Sequence, residues 1–236
     1  MSLHLHGVVR ARHRLPDGSP LRLAELEDLA VVVSDRRADR ALTEEEATAH
    51  LAWLCALVPN GPVLPLRFGT TAVDTDAARA AVLALSVPVL RGHLNRLDGL
   101  AEMHVRVAFD EDAALRAVYD EREFSRGGGT DLTGTIRQGE VIARKIVAWR
   151  RGQADGLLAP ASAMAREVAL LDAAEHTEEH RALLVSLGEV EAVRAAVAAI
   201  DGVTATCTGP LPAFNFLGAP PERTRFELQP TSRWGW

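Results

Sequence analysis

Cysteine is nearly absent from this 236-residue chain: Cys55 and Cys207 are the only two, far apart and without C-x-x-C spacing. That excludes a disulfide framework and a four-cysteine zinc site, and it fits a reducing compartment. Lysine is scarcer still, with Lys145 the single lysine among 26 basic residues. The arginine bias, set beside abundant alanine, reads as codon composition rather than function. No long basic run occurs and the formal net charge is −6, so the electrostatic footprint of a nucleic-acid or anionic-lipid binder is missing. Apolar runs of 18 residues are also missing, and the N-terminal MSLHLHGVVRARH has no apolar h-region. Neither a membrane span nor a secretory signal is expected. Repeats of solenoid period are lacking too. The expectation is a soluble, cytoplasmic protein.

What is present is ordinary for a globular chain, since 47% hydrophobic and 25% charged residues exclude wholesale disorder. The length suits one or two domains with a real core. Leu3, Leu5 and Val8-Val9 suggest a first strand, closed by the turn signal Pro16-Asp17-Gly18-Ser19-Pro20. Leu26 to Val33 reads as a second strand. Thr43 stands before Glu44-Glu45-Glu46, a capping box for a helix whose apolar stripe is Ala47, Leu51, Leu54 and Val58. Val63 to Gly69 is extended. Asp74 or Asp76 caps a helix through Leu85, and Val87-Pro88 kinks or restarts it toward Leu97. Glu102 to Phe109 alternates as a strand.

The order strand, strand, helix, strand, helix, strand over residues 1–110 is close to a ferredoxin-like sandwich, an antiparallel sheet with helices on one face. Residues 111–236 form a second α+β domain with a helical insert. Helices are expected over Asp112–Phe124, Ile136–Arg151 and Ala161–Ala174, with a glycine-rich mobile loop at Ser125–Thr130. Arg181–Leu187 then reads as a strand, Glu189–Ile200 as a helix and Val203–Thr208 as a strand. The chain closes on a tail ending Trp234-Gly235-Trp236.

Catalytic signatures are thin. His176-Thr177-Glu178-Glu179-His180 fits the H-x-x-E-H pattern of inverted zinc proteases. It lies in a solidly polar stretch, with no long downstream helix to supply a third ligand, and is rejected. His4 and His6 share one face of a strand, and an edge-strand surface is a better reading than a metal site. Gly129-x4-Gly134-Thr135 lacks the lysine, the hydroxyl and the preceding strand of a phosphate loop. Neither a metal nor a cofactor is expected. Arg67, inside Leu64-Pro65-Leu66-Arg67-Phe68-Gly69, is expensive to bury without a carboxylate. It is expected to form an internal ion pair with Glu102 or Asp98. The alternative is a small-ligand-binding or enzymatic domain in which Arg67 holds an anion beside His50.

At Val63-Leu64-Pro65-Leu66-Arg67-Phe68-Gly69-Thr70, following a helix that carries Ala49-His50, the chain resembles the gas vesicle protein L/F family (GvpL/GvpF) and its VLPxRFGT segment. The likeness continues through Leu94–Leu100 and Glu102-Met103-His104-Val105. It ends at Gly209-Pro210-Leu211-Pro212-Ala213-Phe214-Asn215-Phe216, which is similar to the family's TGPWPPYSF signature. Leu211, Ala213 and Phe214 depart from the usual tryptophan, proline and tyrosine. The resemblance implies a two-domain, non-enzymatic accessory or minor structural protein of gas vesicle assembly. Its implied partners are the small hydrophobic shell protein and other accessory proteins, with no nucleic acid and no membrane. The residues it singles out, as structural or partner contacts, are His50, Pro65, Arg67, Phe68, Gly69, Glu102, Gly209, Pro210, Pro212, Phe214 and Phe216. One of Phe214 and Phe216 is expected in the core, and Trp234 and Trp236 could dock on this chain or another.

Overall fold

The computed structural model describes residues 2–36, 41–118 and 132–218. The expected Ser125–Thr130 loop and the Trp234–Trp236 tail lie outside the described residues. By compactness the chain divides into two units, Met1–Met103 with Leu184–Val190 and Gly209–Trp236, and His104–Leu183 with Glu191–Thr208. Both mix helix and strand.

In the first unit, β1 (Ser2–Arg10), β2 (Arg22–Leu26) and β3 (Leu29–Arg36) build an antiparallel sheet with the two-residue strands β4 (Leu64–Pro65) and β5 (Thr71–Ala72). The order is β2-β3-β1-β4, and β5 also pairs with β1. The single strand expected to begin at Leu26 is thus the far arm of a hairpin, turned at Glu27-Asp28 with Glu27 at φ 55°. The pairing of β1 with β3 slips between Leu5 and Gly7, where His6 is the extra residue of a bulge. A one-residue slip exchanges faces. Leu5 and Val8 therefore share one face, while Gly7 and Val9 share the other.

That slip lets helices cover both faces of the sheet, where the sequence suggested one. Val9, Ala30 and Val32 pack with Leu54 and Leu57 of α1 (Glu44–Leu57). Leu5 and Val8 face Val82 of α2 (Thr75–Leu83) and Leu90 of α3 (Val87–Arg96). Two-sided cover is also why Ala30 through Val33 are all buried instead of alternating. The punctuation read from sequence holds: Thr43 Oγ1 accepts the Glu46 N–H at 3.2 Å and Glu46 Oε2 accepts the Thr43 N–H at 2.9 Å. Asp74 caps α2, and Pro88 sits in the first turn of α3 after an 85° bend. The buried stripe of α1 is His50, Leu54 and Leu57, with Leu51 exposed.

The second sheet has the order β7-β8-β6-β9, from β6 (Leu100–Ala108), β7 (Ala165–Leu171), β8 (Glu178–Ser186) and β9 (Thr204–Leu211). Its helices are α4 (Glu111–Val118), α5 (Leu132–Leu157), α6 (Ala159–Ala163) and α7 (Val190–Ala198). The helix expected over Ala161–Ala174 is a short turn followed by strand β7. Alanine enrichment favours helix locally, but Ala165–Leu171 alternates between half-buried and exposed with a period of two, and sheet pairing decides. No single helix among the described residues is long and apolar enough to cross a membrane.

Within the second unit, Glu179 is buried between two arginines. Its Oε2 accepts from Arg150 Nε on α5 at 3.0 Å, and its Oε1 accepts from Arg181 Nη2 at 3.1 Å. Arg150 also donates to the His176 carbonyl at 2.8 Å, and Arg181 meets Asp155 at 2.7 Å. This engagement disposes of the zinc-protease pattern: Glu178–His180 is strand, and Glu179 is consumed by arginines. Removing one partner of a buried ion cluster strands the remaining charge. Glu179→Ala is expected to lower unfolding free energy by roughly 3–5 kcal/mol, measured as a fall in urea midpoint.

Candidate functional site

The segment that carries the resemblance, Leu64–Thr70, is fastened along β1. Gly7 pairs with Pro65 and Val8 with Leu64. The Leu66 N–H donates to the His6 carbonyl at 2.8 Å, and the Leu5 N–H to the Thr70 carbonyl at 2.9 Å. Gly7 is required by this approach, because a Cβ there would lie 2.9 Å from the Leu64 oxygen. Gly69, at φ 88°, closes the Arg67–Thr70 turn, in which the Thr70 N–H and Oγ1–H both donate to the Arg67 carbonyl at 3.1 and 2.6 Å.

Beneath this segment lie three imidazoles. His4, His6 and His50 stack with ring centroids 4.7–5.1 Å apart. Phe68 closes the group at 5.3 Å from His4 and 5.5 Å from His50. All three histidines are buried, so the edge-strand surface expected for His4 and His6 is overturned: β1 is central, and α1 covers that face. The hydrogen bonds assign the tautomers. His50 Nε2–H donates to the Leu66 carbonyl at 3.1 Å, which leaves His50 Nδ1 as an acceptor. His6 Nδ1–H donates to it across 3.0 Å, and His6 Nε2 accepts from the Ser34 hydroxyl at 2.9 Å. His4 Nε2 accepts the Gly69 N–H at 3.3 Å. These lone pairs are therefore engaged within the protein instead of converging on a metal. A second proton on His50, at Nδ1, would set it against the His6 Nδ1–H. Burial, then the neighbouring imidazoles, pushes His6 down to about 3. Burial and His4 push His50 down to about 4, and burial with Arg36 lowers His4.

Arg67 corrects a second expectation. It makes no internal ion pair with Glu102 or Asp98; it is exposed, because β4 ends at Pro65 and the following turn carries Arg67 outward. Asp98 pairs with Arg10 at 3.0 Å. Glu102 is fully buried and accepts from Asn215, from the backbone N–H at 2.9 Å and from Nδ2 at 2.6 Å. With His50 locked to His6 and Leu66, the anion-binding pair of His50 and Arg67 is not assembled.

The Glu102–Asn215 contact draws in the C-terminal motif. Gly209 (φ 144°) precedes a cis bond to Pro210 and lies so close to β6 that a Cβ would be 2.8 Å from the Glu102 oxygen. Pro212 and Phe216 are buried, and the Arg96 guanidinium donates to the Phe216 carbonyl. Phe214 is half-buried against the core of the first unit. Pro65, Arg67 and Phe214 thus line one groove of about 420 Å³, together with Leu5 and Val8 of β1 and apolar residues of α2 and α3. The helix contribution, Val82, Leu85 and Leu90, was not singled out from the sequence. Its signal was the uncharged stretch around the Val87-Pro88 break.

The chain matches the family model described as gas vesicle synthesis protein GvpL/GvpF over residues 3–218. It is 27% identical to gas vesicle protein F of Streptomyces sp. (strain CB03234) over 241 residues, covering 92% of this chain and all of the relative. Its fold is similar to that of gas vesicle protein GvpF from Microcystis aeruginosa, with a TM-score of 0.75 at 18% identity over 92% of this chain and 99% of the other. The likeness to GvpF from Anabaena sp. PCC7120 has a TM-score of 0.72 at 16% identity over 93% and 99% of the two chains.

The histidine stack has a pH signature. His6 and His50 are held below the ordinary value of 6.5 in the fold, so below that pH the unfolded chain binds more protons and stability falls with pH. The contribution is complete above 6.5 and is lost progressively toward pH 4 for His50 and pH 3 for His6. Between pH 7 and pH 5 the loss is expected to be roughly 1–2 kcal/mol for each histidine, read from urea melts. His50→Gln, which keeps a donor for the Leu66 carbonyl, should flatten the slope by about one proton.

Proposed function

The chain belongs to the gas vesicle synthesis protein GvpL/GvpF family, and from that premise we propose that it is an accessory or minor structural protein of gas vesicle assembly. In this reading it binds the small hydrophobic shell protein, other accessory proteins, or both during nucleation and growth, and it catalyses no reaction. Its place is the cytoplasm and the gas vesicle. The first unit is read as the modified ferredoxin-like domain and the second as an α+β domain with a helical insert, divided near residue 110.

The observation that carries the reading is the apolar groove built from both family segments, Leu64–Arg67 and Phe214–Leu217. A gas-filled wall must be made of subunits with exposed apolar surface, and such subunits aggregate unless held before assembly. An acidic protein with a net charge of −6 stays dispersed while offering an apolar surface locally. The engagement of both His50 ring nitrogens within the protein speaks for this reading over the catalytic alternative.

Co-expression with the small shell protein, followed by affinity capture, is expected to retain the shell protein on the wild-type chain. Phe214→Ala, at the half-buried groove residue, should reduce the retained amount severalfold without unfolding the protein. Absence of the shell protein and of other vesicle proteins from a folded, monodisperse wild-type sample overturns the reading.

A further inference from the structure

From Ala80 through Leu90 the chain has no charged residue. This stretch forms the bend between α2 and α3, where a surface helix pair normally carries charge on its outer face. Here the outer face is apolar: Leu83 is 53% and Val89 54% exposed. The groove runs directly behind it, lined by Ala81, Val82, Leu85, Val89 and Leu90 on this side. Scattered apolar residues are normal on a surface, but an exposed apolar bend continuous with an apolar groove is the signature of a docking site.

Charge at the mouth narrows the occupant. Two helix arginines are paired within the unit, Arg79 with Asp76 at 2.9 Å and Arg91 with Asp28 at 2.6 Å and Glu27 at 2.9 Å, while Arg96 lies outside the groove lining and donates to the Phe216 carbonyl. His93, which also lines the groove, is held toward its neutral form by burial. Arg67 is exposed and makes no ion pair among the described residues. Among the described residues, the mouth therefore carries the positive charge of Arg67 beside an uncharged slot. An occupant that complements both is apolar along its length and anionic at one end.

We infer that the α2–α3 bend and the groove behind it dock an uncharged apolar peptide segment with a carboxylate at the end that lies against Arg67. On the function proposed above, which this inference rests on, that segment belongs to the vesicle shell subunit.

The test uses the full chain and labelled synthetic peptides that tile the shell protein, read by fluorescence anisotropy beside the co-expression capture. One apolar peptide with an acidic residue near its end is expected to bind. Leu83→Asp and Val89→Asp, at positions exposed enough to keep the fold, should each weaken it about tenfold or more. Arg67→Glu should weaken it about fivefold, and more at low salt. Replacing the peptide's acid with its amide should weaken binding to wild type and leave the Arg67→Glu affinity unchanged. Arg166→Glu on β7 is the control, and thermal midpoints confirm folding of every variant.

If the groove variants bind the peptide as wild type does, the groove assignment falls while shell binding stands. If wild type retains no shell protein in the capture, the docking assignment falls, and the proposed function falls with it only if no other vesicle protein is retained either. Displacement of the shell peptide by a synthetic peptide of residues 219–236, at lower concentration than the shell peptide itself, would make the chain's own tail the occupant. Self-association abolished by Val89→Asp would make the occupant a second copy. Each of these overturns the inference.

Discussion

The first unit depends on one close approach, that of the Leu64–Thr70 segment to β1. Two glycines make it possible, Gly7 by offering no Cβ to the Leu64 oxygen and Gly69 by its positive φ. Three stacked, buried histidines hold it from beneath. A hydrogen-bonded imidazole chain is an unusual choice for a buried joint, because each ring must present one donor and one acceptor in the right order. The order from Ser34 through His6 and His50 to the Leu66 carbonyl satisfies every member. Charged partners would have had to overcome desolvation on the same face.

From that joint the groove follows. Once Leu64 and Pro65 are fixed beside β1, the face of the sheet bearing Leu5 and Val8 is bounded on one side by the motif segment and on the other by α2 and α3. The C-terminal turn completes the wall through Asn215, which is tied to buried Glu102. Glu102 thus acts as a fastener for the turn instead of a counterion for Arg67. Arg67, carried outward after β4, stands exposed at the rim.

The second unit solves a similar problem with opposite chemistry. Glu179 joins α5 to β8 through Arg150 and Arg181, with Asp155 offsetting the second guanidinium. Such a cluster fixes geometry strictly but adds little net stability over an apolar substitute. Its presence accounts for a polar stretch, Glu175 to Arg181, that looks like a solvated linker in the sequence.

Local punctuation was readable from the sequence alone: the capping box at Thr43, the Asp74 cap, the Pro88 break, the alternation of β6, and the family segments themselves. These are determined by residues within a few positions of one another, so the chain carries them openly. The bulge at His6 was not readable, because it exists only in the pairing of β1 with β3, and it moves Val8 and Val9 to opposite faces. Strand β7 was hidden for a related reason, since alanine-rich alternation becomes strand only when a neighbouring strand accepts it. The meeting of His4, His6 and His50, the outward turn of Arg67 and the joining of Phe214 to Pro65 in one groove all link residues far apart in sequence. Composition and spacing determined the class of protein and its family. Only tertiary packing decided which polar residues are buried fasteners and which stand exposed, because burial and hydrogen-bond order are properties of neighbours that the chain does not place side by side.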